Sequence, residues 1–300
     1  MESTPLPSLP LDEWEDSKNT LHLYLQIIGK IRMSLFPKTN HWWHVPLYVS
    51  CHGLTTRPIP YGDRLIEINL DFINHVLAIS SSNGQSVQFP LAGLSVAAFF
   101  RNIMQALKEL DIEVHIKATP YDVPFSNIPF AQDEIHASYA PDWIEKYFQL
   151  LGFVNNTFEI FRGRFIGKST PVHLFWHHAD LALTRFSGKP APPLTQGTAA
   201  DKEAYSHEVI SFGFWVGDEI TREPAFYAYA YPEPAELNKV SLLPEGATWR
   251  NDYGYTMAFL PYETLRTQTQ PQEILLTCLE SAYQGLAERA GWDIESLTRK

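Results

Sequence analysis

The chain has 300 residues and a formal net charge of −11, and 45% of its residues are hydrophobic while 19% are charged. This composition is typical of an ordinary globular protein with enough residues for a large core. Because no cluster of lysine and arginine relieves the negative charge, neither a nucleic-acid backbone nor an anionic membrane surface is expected as a partner. The cysteines, Cys51 and Cys278, lie far apart and form no CxxC metal motif.

The N-terminal residues do not resemble a signal peptide, because they contain no basic stretch followed by an apolar one. The chain also has no run of about 18 apolar residues that would span a membrane. We therefore expect a cytoplasmic protein. Residues 1–11 are rich in proline and predict an extended arm before the first helix.

Apolar periodicity predicts a helix, several strands and a second helix in the first half of the chain. Asp12 is a candidate N-cap for the first helix, which continues to about Phe36. Strands are predicted where apolar and polar residues alternate, at 41–50, 65–72, 76–80, 86–91 and 113–118. The pair Asn83-Gly84 predicts a hairpin turn, and Ser95 is a candidate cap for the second helix.

A proline-rich stretch at 119–141 separates this half from the next. Pro141 fits the start of a helix whose apolar stripe runs to Phe161, and Pro271 fits the start of the closing helix. Strands are predicted at 172–177, 181–186, 206–216, 224–231 and 256–260. The polar loop at 187–203 has the composition of a mobile lid.

The two halves repeat one pattern at a fixed offset. Aligning His44 with His173 (173 − 44 = 129) also pairs Thr55 with Thr184 without a gap. We therefore predict an α+β fold made of two divergent copies of an α-β-β-β(-β)-α unit with antiparallel sheets. The predicted domains are residues 1–135 and, with extra loops, residues 136–300.

The segment GRFIGKS at 163–169 resembles a phosphate-binding loop but is one residue too short. It also follows a helix and enters a strand, which reverses the order that a phosphate loop needs. Lys168 and its neighbours Arg162 and Arg164 either balance the negative end of a helix or clamp a carboxylate or phosphate group.

The histidines do not predict a metal site. His173 and His177 have H-x-x-x-H spacing, but four residues of a strand span about 13 Å, which is too far for two ligands of one zinc ion. A composite site remains an alternative. It would join His177 or His178 to Asp180, or to His207 and Glu208.

Glu208 shares its strand face with Ile210 and Phe212, so its carboxylate should point toward the apolar side. It is then either part of a buried ion pair, with Arg185 as the candidate partner, or an acid–base group beside a cleft.

The segment FYAYAY at 226–231 alternates aromatic residues with alanine. We interpret Tyr227, Tyr229 and Tyr231 as core residues packed under a helix, with their hydroxyls reaching the rim of the core. The alternative is that their rings form an exposed aromatic face that binds carbohydrate.

Several motifs give a family resemblance. They are NHWWHVPLYV, GLTT, RGRFIGKSTPVHLFW, LTRFSGKPAP, AYSHEV and FYAYAYPEP. Together they resemble a family of bacterial proteins of this length that is known only as a domain of unknown function, and the resemblance runs from about Leu11 to Trp292. It implies no activity or cofactor. Family members commonly carry glycine or serine after the tryptophan equivalent to Trp176, whereas this chain has His177-His178, which weakens a metal site there.

We predict that the second copy lines a cleft that binds a small anionic molecule. In this hypothesis Arg185 anchors the anion, Trp176 is the apolar wall, and His173 or His207 transfers a proton with Glu208 as its orienting partner. The other candidate ligand-binding residues are His44, Trp42, Asp180 and Lys168. The alternatives are a hydrolase or isomerase using His/Glu chemistry, with or without a metal, and a scaffold that binds another protein. The sequence identifies no cofactor and no oligomeric state.

Overall fold

The computed structural model describes residues 5–299 and contains two antiparallel sheets of six strands each. The strands of the first sheet are β1 (Tyr48–Val49), β2 (Gly53–Thr55), β3 (Ile59–Tyr61), β4 (Arg64–Asp71), β5 (Val76–Ser81) and β6 (Ser86–Pro90). Those of the second are β7 (His173–Phe175), β8 (Asp180–Pro190), β9 (His207–Trp215), β10 (Ala225–Tyr231), β11 (Thr248–Arg250) and β12 (Met257–Pro261). The strand orders are β1-β2-β4-β5-β6, with β3 paired to β4, and β11-β12-β10-β9-β8-β7.

Helices flank both sheets. They are α1 (Leu11–Leu35), α2 (Val96–Glu109), α3 (Pro141–Gly163), α4 (Ala199–Ala204), α5 (Glu263–Arg266), α6 (Pro271–Arg289) and α7 (Ile294–Leu297). None of these helices, within residues 5–299, has the length and apolar character needed to cross a membrane.

The predicted α+β class is confirmed, because helices pack on sheets whose neighbouring strands are all antiparallel. Each half runs from a long helix through six strands to another helix. The halves join where Leu47 and Leu174 exchange backbone hydrogen bonds of 2.9 and 2.7 Å. One apolar core contains residues from both halves. A common origin of the halves, and a domain boundary at residue 135, stay predictions.

Helix α1 is buried all round in its central turns, as expected for a helix enclosed by other elements. Two of its buried polar side chains hold neighbouring segments by hydrogen bonds. His22 Nε2 lies 2.9 Å from the carbonyl oxygen of His177, and the Gln26 amide donates to that of Tyr121 at 2.7 Å. The turn after β7 is thereby fixed against α1.

Local signals in the sequence account for several element ends. The Asn83-Gly84 turn is confirmed, since β5 and β6 form an antiparallel hairpin around it. The Ser95 hydroxyl caps α2 by accepting a hydrogen bond from the Ala98 amide, and Pro271 lies in the first turn of α6, both as predicted.

Other predicted elements are wrong. Residues 41–47 form no strand, because His41 and Trp42 adopt left-handed φ values of 54° and 59° in a 3-10 turn. Of the strand predicted at 41–50, only β1 forms, and it pairs with β2. The predicted strand at 113–118 is irregular. Helix α1 begins at Leu11 directly after Pro10, so Asp12 lies in its first turn and is not its cap. Within the predicted arm, residues 1–4 lie outside the described chain, while Leu9 is buried.

Candidate functional site

Helices α3 and α6 pack on one face of the second sheet, and we call the opposite face the outer face. The register pairs His173 with Ala182, Ala182 with Gly213, and Gly213 with Tyr227, so this row shares the outer face. Strand alternation places Asp180, Thr184, Phe186, Ser211, Tyr229 and Tyr231 on the same face.

Tyrosine hydroxyls form hydrogen bonds across the outer face. Tyr227 donates to the Asp180 carboxylate at 2.5 Å, and the hydroxyls of Tyr205 and Tyr229 lie 2.8 Å apart. Gly213 makes room for the first of these contacts, because a Cβ atom there would lie 2.1 Å from the Tyr227 ring. A glycine in the middle of a strand often marks such a close approach.

Burial dominates the electrostatics of this face. It raises the pKa of the Asp180 carboxyl, and it raises the pKa of the Tyr205 phenol to about 12. The phenols of Tyr227 and Tyr229 have pKa values well above the ordinary range for the same reason. These phenols therefore stay protonated and offer neutral hydroxyl groups, although all three side chains are only half-buried.

A basic corner lies at the end of the outer face. The Lys168 ammonium donates to His41 Nε2 at 3.2 Å and lies 5.1 Å from the centre of the Trp43 ring. The rings of His41 and His207 are 5.3 Å apart. Burial, with the neighbouring Lys168, lowers the pKa of His41, so its neutral ring accepts this hydrogen bond. Lys168 forms no ion pair with any residue in the range 5–299.

His173 lies at the edge of the outer face beside the first sheet. Its side chain is fully buried, 4.6 Å from the Phe175 ring and 6.3 Å from the Tyr48 ring. Burial, reinforced by Arg57 and Arg32, lowers its pKa to about 3. Neither ring nitrogen has a hydrogen-bond partner within residues 5–299. At neutral pH His173 is therefore an uncharged imidazole.

The buried His173 should make the protein sensitive to acid. Its pKa is about 3 in the folded chain, against an ordinary value of 6.5, so the unfolded chain takes up a proton first as the pH falls. The contribution of His173 to stability is therefore fully present above pH 6.5 and is lost as the pH falls, by about 2 kcal/mol at pH 5. Urea unfolding from pH 7 to 4 should show a shallower pH dependence for His173→Phe than for the wild type. An equal effect of the control His115→Phe, at an exposed position, would contradict this account.

Trp42 and His44 lie in the loop before β1, next to α4. Their rings are 5.2 Å apart, and the Thr39 amide donates to His44 Nδ1 at 3.3 Å. Lys38 contacts the Trp42 ring at 5.3 Å and pairs with Glu203 of α4 at 3.0 Å. The loop and α4 therefore hold each other at the border of the outer face.

The predicted cleft that joins Arg185 to His173 is not formed, because the two residues lie on opposite faces of the sheet. The Arg185 guanidinium is buried, 3.6 Å from the Phe161 ring and 4.4 Å from the Tyr283 ring. Its Nη2 atom donates to the Phe161 carbonyl oxygen at 2.6 Å. These contacts belong to the core between the sheet and helices α3 and α6.

Glu208 and Trp176 also lie away from the outer face. Glu208 neighbours His207 in β9, so their side chains alternate and the predicted orienting contact between them is wrong. No ion pair joins Glu208 to Arg185 in the described chain. Trp176 packs on Gly29 of α1 and donates from its indole nitrogen to the Val45 carbonyl oxygen at 3.1 Å.

Within residues 5–299, neither a group of metal ligands nor either of two surface hollows lies on the outer face. Across residues 5–299, no three or more His, Cys, Asp or Glu side chains are grouped as metal ligands. Two surface hollows of about 550 and 610 Å³ lie elsewhere, one beside Ile166 and Asp293, the other beside Phe72 and Asp142. Their linings include none of the predicted site residues. The outer face is therefore the candidate site because of the chemistry of its side chains, and not because of a cavity volume.

The family model for a family of unknown function (DUF5996) matches residues 6–299. The chain belongs to this family. Membership in DUF5996 confirms the resemblance that the sequence motifs indicated, and it assigns no activity. No curated protein and no solved structure matches the chain.

In this DUF5996 chain, sequence reasoning missed the tyrosines of β10. Tyr227, Tyr229 and Tyr231 do not lie under a helix, because Phe226 and Ala228 occupy the helix-facing positions with exposures of 1% and 2%. Helices pack most closely over small residues. The alanines of FYAYAY therefore indicated that their face, and not the tyrosine face, packs against helices. Tyr205 and His41 gave no comparable signal, since Tyr205 follows the end of α4 and His41 lies in an irregular turn.

Proposed function

We propose that this protein binds a small molecule on the outer face of its second sheet, and that an acidic group of the ligand contacts Lys168. The observation that carries the proposal is the basic corner, where Lys168 contacts the imidazole of His41 and the aromatic rings of Trp43 and Phe186. The His207 imidazole lies beside that of His41. Small-molecule sites typically combine such apolar walls with a few convergent polar groups.

The tyrosines supply the rest of the proposed site. Thr184 and Ser211 lie between the basic corner and Tyr229, with their hydroxyls 2.8 Å apart, and Tyr255 contacts the Tyr229 ring at 5.1 Å. Such rings offer flat apolar surface together with hydrogen-bonding hydroxyls. A ligand with an acidic group and a polar, partly flat body fits this set of groups.

Binding is favoured over catalysis by the positions of the candidate acid–base groups. His207 lacks an orienting carboxylate in the described chain, since its nearest hydrogen-bond partner is Ser206, at 3.1 Å. His173 is fully buried and neutral. General acid–base catalysis needs a group within reach of the substrate and with a pKa near the working pH. The net charge of −11 also argues against a nucleic-acid ligand.

A thermal-unfolding screen against carboxylates and phosphate esters tests this function. A true ligand at about one hundred times its Kd should stabilise the protein by about 2.7 kcal/mol. Lys168→Ala should weaken that ligand by about 10- to 100-fold, because a charge-assisted contact is lost. The matched control is Lys189→Ala, which removes another exposed lysine near the end of β8. Stabilisation by no compound, or equal losses in the two variants, would contradict the proposal.

A further inference from the structure

We propose that Arg32 and Arg57 form a second binding site, for a small oxyanion such as a carboxylate or phosphate group, at the junction of the two sheets. This site is independent of Lys168 and of the function proposed for the outer face. Its side chains come from both halves, because Arg32, Tyr48 and Arg57 precede β4 while His173 begins β7. We call these four residues the arginine cluster.

The arginine cluster is built around one aromatic ring. The Arg57 guanidinium carbon lies 3.6 Å from the centre of the Tyr48 ring, and that of Arg32 lies 5.6 Å from the same centre. A guanidinium stacked on a ring keeps its in-plane N–H donors free for a bidentate acceptor. The side chain of Arg57 donates no hydrogen bond to any residue from 5 to 299. Its donors are therefore available to a ligand.

No protein carboxylate neutralises this pair of cations. Neither arginine forms an ion pair within the described residues, although the chain as a whole is acidic. Arg32 is only 3% exposed, and its Nη1 atom donates to the Thr56 carbonyl oxygen. Its buried Nε atom has no hydrogen-bond partner in that range. A buried charge is costly unless it is paired. An oxyanion at this position would supply the missing charge and acceptor.

His173 completes the polar inner part of the cluster. Its imidazole is fully buried and lies 6.3 Å from the Tyr48 ring, and its two nitrogens have no hydrogen-bond partner among residues 5–299. Buried polar groups in folded proteins almost always have a partner. A neutral imidazole presents one N–H donor and one acceptor. Thus two different side chains of the cluster have buried polar atoms that the protein itself leaves without partners.

The backbone holds Arg57 in place. The Thr55 hydroxyl accepts a hydrogen bond from the Arg57 amide at 2.8 Å, and the Thr56 hydroxyl donates to the Arg57 carbonyl oxygen at 2.9 Å. The Thr55 hydroxyl in turn donates to the carboxylate of Glu67, in the neighbouring strand β4, at 2.5 Å. This hydrogen bond occupies the acidic side chain of Glu67. A residue whose backbone is fixed before binding loses less conformational entropy when the ligand arrives.

Isothermal titration of the full chain with inorganic phosphate and with succinate, at constant ionic strength in chloride buffer, tests this site. We expect one of the two anions to bind saturably with one site per chain. Arg57→Ala should weaken this binding by about 10- to 100-fold. Arg57 is exposed, so the variant should fold, which its unfolding temperature in chloride would verify.

Two further variants test whether the anion binds at the arginine cluster. Arg101→Ala removes an exposed arginine that is paired with Glu134 on α2, and it should bind like the wild type. Lys168→Ala should also leave this binding unchanged, which distinguishes the arginine cluster from the outer face. The inference is overturned if neither anion binds the wild type, if Arg57→Ala binds like the wild type, or if Lys168→Ala alone abolishes binding.

Discussion

Replacing Gly29 by alanine is expected to destabilise the protein by about 3 kcal/mol, although alanine is the better helix former. Gly29 lies in the buried part of α1, and a Cβ atom there would lie 2.1 Å from two atoms of the Trp176 ring. Trp176 is only 5% exposed and its indole nitrogen is hydrogen-bonded to Val45, so the ring has little freedom to move away. Chemical denaturation of the purified variant would measure this loss.

Gly152 provides the matched control, because it lies inside helix α3 and a Cβ atom there would meet no atom of another segment within 4 Å. Gly152→Ala should therefore stabilise the protein by about 0.5–1 kcal/mol through helix propensity alone. If Gly29→Ala were also stabilising, Trp176 would not pack on α1 as described. The contact bears on the proposed function, since Trp176 begins the turn that leads into β8 and Asp180.

Arg185→Ala is expected to cost about 3–4 kcal/mol, because it leaves a cavity among the rings of Phe161, Phe165 and Tyr283. Arg185→Met keeps most of the volume and removes a charge whose pKa burial already lowers to about 10. Replacing a buried charge by an apolar side chain of similar size is often nearly neutral. The methionine variant should therefore unfold within about 1 kcal/mol of the wild type in urea.

The two Arg185 variants distinguish a structural role from the ligand-anchoring role that the sequence indicated. In a structural role, Arg185→Met keeps both stability and affinity for whichever acidic compound the thermal screen identifies. If Arg185→Met instead lost affinity by tenfold or more at unchanged stability, Arg185 would be a ligand-binding residue.

Much of the fold follows from short-range signals. The alternation of Ile210 and Phe212 in β9 predicted the buried face correctly, and both are fully buried. The same reasoning could have corrected Arg185, since it shares its strand face with Leu181 and Leu183, which pack in the core. An arginine in such a position is more simply explained by packing against aromatic rings than by ligand binding.

The site itself depends on contacts that no local pattern encodes. The loop at 41–44 has aromatic residues typical of a strand, but tertiary contacts with α4 accompany a left-handed turn there. That turn is what brings His41 to Lys168, which lies 127 residues away in sequence. Likewise, Arg32 and Arg57 have no motif in common, and they are neighbours only because both guanidinium groups lie against the Tyr48 ring.

The location of the ligand is the central claim, and fluorine NMR of the protein labelled with 3-fluorotyrosine tests it most directly. Titration with the acidic compound that stabilises the protein most should shift the resonances of Tyr229 and Tyr255, which contact each other on the outer face. The resonance of Tyr283, which packs against Arg185 on the helix side, should not move. Single Tyr→Phe variants would assign each signal. A shift of Tyr283 without any shift of Tyr229 or Tyr255 would contradict the account.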